Sequence, residues 1–191
     1  MLKETLRPAA SLLLAITVLL GLGYPLAITG IAELAFPHQA GGSIVLRDGV
    51  PVGSSLIGQS FSDPKHFWGR PSATTPQPYN GIGSTGSNLG PLNPALIDAV
   101  KANAKALREA DPDNHRPIPV DLVTASASGL DPEISAAAAL YQVARVARVR
   151  GLDPARVEAL VGAHERVRPL ALIGESSVNV LELNLALDEL R

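Results

Sequence analysis

Apolar and polar positions are unevenly distributed along the chain. Between Arg7 and Glu33 lie twenty-five residues without a charge, and Ser11 to Leu20 is almost pure Leu, Ile, Val and Ala. A helix needs about 20 such residues to cross the hydrocarbon core of a bilayer. The pattern predicts a cytoplasmic tip and one membrane-spanning helix in residues 1–36, passing through Ser11, Leu20, Pro25 and Ile31. Pro25 lacks a backbone donor, which predicts a kink. A membrane helix tolerates proline where neighbouring helices re-satisfy the freed carbonyl, a hint of a partner helix. The competing readings are a cleaved signal peptide and a buried core helix. A signal peptide has a shorter apolar run and an A-x-A-like cleavage site; here the run is longer and Gly30-Ile31-Ala32 is a poor site. Lys3 and Arg7 precede the run and Glu33 and His38 follow it. The excess of positive charge on the cytoplasmic side of membrane helices places the N-terminus inside and residues 37–191 outside. In a bacterium that is an inner-membrane, single-pass protein with a periplasmic domain, and the lipid bilayer is its first partner.

Residues 37–191 read as one domain in two halves. The half from 40 to 92 is rich in Gly, Pro, Ser and Asn. Asp48-Gly49 is a hairpin-turn signal after Ile44-Val45-Leu46, and Leu56 to Phe61 reads as a further strand-like piece. From Pro71 to Pro94 there is no periodicity, and such long irregular stretches are usually functional or disordered. The half from 93 to 191 is mostly helical. Asn93-Pro94 pairs a capping residue with proline at the first helical position, and Leu96, Ile97, Val100 and Leu107 recur near one face. Asp131-Pro132 and Asp153-Pro154 repeat that signal, for helices running to Arg150 before Gly151 and to about Arg166. Ile118 to Ala125 alternates enough for one strand. The segment Asn179 to Leu190 fits both periods and is assigned to helix. The expected class is α+β: one N-terminal transmembrane helix, then one extracytoplasmic domain with few strands and about four helices.

Composition narrows the chemistry. Of 191 residues 46% are apolar and 18% charged, against roughly 25% charged in ordinary soluble domains; the mean hydropathy is +0.19. The formal charge of −2 leaves no basic footprint for nucleic acid. With no cysteine, disulfides, thiolate metal sites and cysteine nucleophiles are excluded.

The motifs are weak. Gly81-Ile82-Gly83-Ser84-Thr85-Gly86 matches G-x-G-x-x-G, but a dinucleotide site needs a strand before it and a helix after it; here Pro76-Gln77-Pro78 precedes and Pro91 follows. The reading is a glycine-rich loop whose amides are free to point outward at a partner. His164-Glu165 would need a second histidine where Arg168 stands. The four histidines, at 38, 66, 115 and 164, show no metal-ligand spacing. Ser126 and Ser128 lie outside any nucleophile elbow and read as a turn leading to Asp131. No phosphate-binding G-x-x-x-x-G-K-[ST] loop occurs. The outer domain reads as a binding or support module, with a periplasmic hydrolase using Ser126 or Ser128 as the enzymatic alternative.

Three blocks carry a resemblance. They are Phe61 to Ala73 (FSDPKHFWGRPSA) with Tyr79-Asn80 and Gly86 to Pro94; Val123 to Pro132 with Ile134-Ser135; and Val178 to Asp188. In this order, over essentially the whole chain, they resemble the C subunit of the bacterial Kdp-type potassium-transporting ATPase. Glu133 departs from that pattern, where a histidine is expected, as does Ser176 after Gly174-Glu175, where a proline is expected. The resemblance implies three protein partners: a P-type ATPase subunit, a channel-like potassium-binding subunit and a small membrane peptide. It also implies a non-catalytic accessory role in assembly and stabilisation, with ATP and potassium handled by the complex and neither cofactor nor metal bound by this chain. The alternative is a catalytic chaperone raising the ATP affinity of the pump subunit, through Gly81 to Gly86 with Gly129 and Asp131. The predicted topology, with the domain away from cytoplasmic ATP, favours docking over the mouth of the channel-like subunit. By motif membership the candidate contact residues are Gln59, Phe61, Trp68, Arg70, Asn88, Asn93, Gly129 and Asp131.

Overall fold

The computed structural model describes residues 2–166 and 174–190. The chain divides into two compact units, Met1–Pro51 and Val52–Arg191.

The first unit is dominated by the apolar segment. Helix α1 (Leu2–Val18) runs into a π-helical turn at Leu19–Gly23 and continues as α2 (Tyr24–Ala35). The Tyr24 amide bonds the Leu19 carbonyl, five residues back. The proline interruption therefore takes the form of a widened turn immediately before Pro25. This relieves the clash between the proline ring and the carbonyl one turn earlier. Lys3–Ala35 is long and apolar enough to cross a membrane, and none of it is buried within the chain. A short helix α3 (Pro37–Ala40) follows, then strand β1 (Ile44–Arg47). As predicted, β1 turns through Asp48-Gly49 into β2 (Val50–Ser54). Both turn residues have positive φ, 52° and 77°, the left-handed geometry that tight hairpin turns need.

The second unit holds the core. Helix α4 (Pro94–Ala110) starts at the predicted cap, with Asn93 Oδ1 accepting the Ala95 amide at 3.0 Å. Leu107 is buried, with Val100 and Ala104 packed against the same core. Ile118 to Ala125 is no strand: it carries a 3₁₀ turn at Val120–Leu122. Proline at 117 and 119 removes the amides a ladder would need. Leu56 to Phe61 likewise forms no strand beyond a single bridge between Ser54 and Ile57.

A small antiparallel sheet follows, in the order β3 (Glu133–Ser135), β5 (Ser177–Asn179), β4 (Glu165–Arg166). Ile134 lies opposite Val178 and both are buried. Helix α5 (Ala136–Arg150) therefore starts later than Asp131: its cap is Ser135, whose Oγ accepts the Ala138 amide at 3.0 Å. Gly151, at φ 67°, ends it as predicted, closing the last turn in the left-handed conformation that costs glycine least. Helix α6 (Pro154–Ala163), capped by Asp153, stops short of Arg166, which enters the sheet instead. Helix α7 (Val180–Glu189) is capped by Asn179, so the ambiguous last segment is helical. The architecture is α+β, and α4 to α7 are the four long helices among the described residues of this unit.

Helix α5 forms the centre of the core. Ala138, Ala139, Val146 and Ala147 are fully buried, and these small side chains let neighbouring elements approach closely. Glu133 ties the sheet together: its carboxylate accepts from Arg166 Nη1 (2.8 Å) and Ser177 Oγ (2.6 Å).

Candidate functional site

The segment from Phe61 to Ser72 has no regular secondary structure, yet Phe67 is completely buried. Its backbone polar groups need partners, since an unpaired buried amide or carbonyl is costly. Two carboxamides provide them. Asn184 on α7 accepts the Phe67 amide through Oδ1 (2.8 Å) and donates Nδ2 to the Phe67 carbonyl (2.9 Å). Gln142 on α5 accepts the Trp68 amide through Oε1 (2.9 Å) and donates Nε2 to the Trp68 carbonyl (3.1 Å). Each side chain exchanges two bonds with one residue, as paired residues do in an antiparallel ladder. The segment is thus held like a strand whose neighbours are side chains.

Arg145, 2% exposed, completes this clamp. Its guanidinium donates to the carbonyls of Pro64 and His66 and to Gln142 Oε1, and lies 4.5 Å from the centroid of the Trp68 ring. Burial pushes its pKa down to about 10, with Asp111 acting in the opposite sense; it stays charged at neutral pH. Further out, Arg150 bonds the Lys65 carbonyl (2.7 Å) and Asp188 (2.5 Å).

The clamp borders, through Trp68, a cleft of about 400 Å³ lined by Phe61, Trp68, Arg70 and Tyr79 together with Asn103 and Leu107 of α4. Arg70 pairs with Asp131 at 3.1 Å. The Tyr79 hydroxyl donates to the Arg70 carbonyl. Burial, and next the Asp131 carboxylate, push the Tyr79 phenol up to about 12, against the smaller opposing effect of Arg70.

The structure brings Phe61, Trp68, Arg70 and Asp131 to or beside this cleft. Gln59 donates to the Val52 carbonyl at 2.8 Å. Gly129, at φ 67°, ends a turn in which Ser126 Oγ accepts its amide (2.9 Å) and Ser128 Oγ accepts the Leu130 amide (3.1 Å). A Cβ on Gly129 would lie 2.6 Å from Thr74 Cγ2 and from the Thr85 carbonyl oxygen. Asn88 is exposed and left-handed at φ 52°. Asn93, also exposed, is the α4 cap. Among the described residues neither Ser126 nor Ser128 is bonded to a histidine; both hydroxyls serve turn amides.

The expectation of outward-pointing amides between Gly81 and Gly86 is corrected. The Ile82 amide bonds Asn80 Oδ1 (3.2 Å), the Gly83 amide bonds the Asn80 carbonyl (3.0 Å), and the Thr85 amide bonds the Ser128 carbonyl (2.9 Å). Turn closure and docking on the 126–129 turn use those donors internally. Gln142, Arg145 and Asn184 escaped sequence reasoning. Their one signal is a polar side chain inside an apolar helical face: Gln142 and Arg145 among Ala and Val, and Asn184 between Leu183 and Leu185.

Fold and site together define an α+β protein carrying one helix long and apolar enough to cross a membrane, with a loop-and-helix surface site. Residues 6–189 match the family model described as KdpC: K+-transporting ATPase, c chain. The chain belongs to that family. It is 65% identical over 189 residues to the "Potassium-transporting ATPase KdpC subunit" of Polaromonas naphthalenivorans, covering 99% of this chain and 96% of that one. The protein of that name from Variovorax paradoxus is 63% identical over 97% of this chain and 96% of its own length. The one from Dechloromonas aromatica is 62% identical, over 97% of each.

Proposed function

We propose that this chain is a non-catalytic accessory subunit of an ATP-driven potassium uptake complex. It holds the complex together by docking on the channel-like potassium-binding subunit, alongside the P-type ATPase subunit and the small membrane peptide. Membership of the c-chain family over nearly the full length carries this reading. The apolar helix supports it too, since its unburied surface is suited to lipid and to other membrane helices. In this reading Lys3 and Arg7 keep the N-terminus cytoplasmic and the folded domain sits in the periplasm, at the ion entrance.

Two measurements test it. A cysteine replacing the exposed Ala102 on α4 is expected to react with a membrane-impermeant maleimide in intact spheroplasts; labelling only after lysis would reverse the topology. A chain lacking residues 1–36 is expected to lose stable co-purification with the channel-like subunit. Undiminished co-purification would show that the anchor is dispensable for assembly.

A further inference from the structure

The π-helical turn at Leu19–Gly23 changes the hydrogen-bond accounting of the membrane helix. The Tyr24 amide donates to the Leu19 carbonyl and to no other. The next residue, Pro25, has no amide. The Leu20 carbonyl therefore has no donor within its own helix: Tyr24, four residues on, is committed to Leu19, and Pro25, five residues on, has no proton to give. Among the described residues no side chain donates to it either.

Position makes this oxygen costly. Leu20 is the middle residue of the twenty-five uncharged residues between Arg7 and Glu33. Its carbonyl therefore lies near the centre of the hydrocarbon core, where no water is at hand to bond it and an unpaired backbone group is least tolerated. The oxygen is also open. Gly21 and Gly23, one and three residues on, have no side chain to shield it, and a Cβ built on either would meet nothing closer than 3.8 Å. None of Lys3–Ala35 is buried within the chain.

The geometry points to the Leu20 carbonyl as the seat of a transmembrane helix from another subunit, one that presents a hydroxyl or carboxamide donor at the bilayer midplane; this rests on the membrane-anchored accessory-subunit reading above. Hydrogen-bond complementarity selects that occupant. Acyl chains carry no donor. A second copy crossing in the same orientation offers only Thr17 and Tyr24 near this depth. They lie three and four residues away, displaced by about 4.5 and 6 Å along the axis, so neither is level with the oxygen. A helix of another subunit is under no such symmetry constraint, and the bare backbone at Gly21 and Gly23 lets it approach closely.

The test uses the full chain, tagged and co-expressed with the other subunits, and reads the subunits recovered per tagged chain in mild detergent. Pro25→Ala is the decisive variant. It supplies the missing amide and favours the helix, so a loss of recovery cannot come from unfolding of the anchor. The expected loss is about fivefold, the scale of one interhelical hydrogen bond. Gly23→Leu, which covers the oxygen and blocks close approach, is expected to lower recovery by about tenfold or more. Ala15→Leu adds similar bulk five residues before Leu20, on the far side of the helix, and is expected to leave recovery unchanged. The photoreactive residue p-benzoylphenylalanine in place of Tyr24 is expected to form an adduct with another subunit. Wild-type recovery by Pro25→Ala or Gly23→Leu, while the native complex forms normally, overturns this contact and leaves the accessory-subunit reading standing. Failure of the native chain to retain the other subunits overturns both. An equal loss with Ala15→Leu, or a photo-adduct with a second copy or with lipid alone, overturns the proposal.

Discussion

The helical half of the second unit and its irregular half satisfy their backbones in different ways. From α4 to α7, most amides and carbonyls pair within a few residues along the chain, with side chains needed chiefly at the caps Asn93, Ser135, Asp153 and Asn179. From Ser55 to Tyr79, many partners are borrowed from side chains distant in sequence. Asn179 donates to the Ser55 carbonyl (2.8 Å), Asn184 brackets Phe67 and Gln142 brackets Trp68. The buried amides on α5 and α7 therefore act as substitute strands, and the conformation of the loop half is encoded in the polar positions of the helices.

The sharpest way to break this contrast is Asn184→Leu. Leucine keeps α7 helical and apolar but leaves the Phe67 amide and carbonyl buried without partners. At roughly 1–3 kcal/mol per orphaned group, the expected loss is about 4 kcal/mol, read by urea unfolding of the full chain in detergent micelles. A loss below about 1 kcal/mol would mean that the clamp is incidental.

Arg145→Met comes next. Methionine fills the space and removes a buried charge that, among the described residues, has no carboxylate directly bonded to it, but the Pro64 and His66 carbonyls lose their donor. The expected cost is about 2 kcal/mol, with faster amide exchange over residues 63–70 and an unchanged helical circular dichroism signal. Equal acceleration throughout α5 would place Arg145 in the helical framework instead.

The smallest effect expected is that of Tyr79→Phe, about 1 kcal/mol at neutral pH for the lost bond to the Arg70 carbonyl. It has a pH signature. The folded phenol titrates near 12, above its ordinary value of 10.0, so the folded state holds this proton more tightly. That stabilisation is complete below pH 10 and declines as pH rises from about 10 through about 12. The wild-type advantage over the phenylalanine variant should shrink across that window. A constant difference would rule out ionisation of Tyr79 as its source.

Much of the fold was legible along the chain because its signals are local. The apolar run, the Asp48-Gly49 turn, the Asn93 and Asp153 caps and the Gly151 stop each depend on a few adjacent residues. The misplaced elements have non-local causes. Asp131-Pro132 looks like a cap, but pairing of Ile134 with Val178 pulls the next three residues into the sheet and passes capping to Ser135. Ile118 to Ala125 alternates like a strand, yet its prolines and the lack of a ladder partner leave a 3₁₀ turn.

The apolar helix, the α+β class, the order of the long helices and the family could all be read from the chain, because periodicity, caps and ordered motifs are properties of neighbouring residues. What Phe67 and Trp68 bond, why Arg145 is buried and which carbonyl takes the Thr85 amide depend on the assembled fold. Those bonds join residues from about 45 to 120 positions apart, and no local pattern records which distant carboxamide or carbonyl will meet a given backbone group.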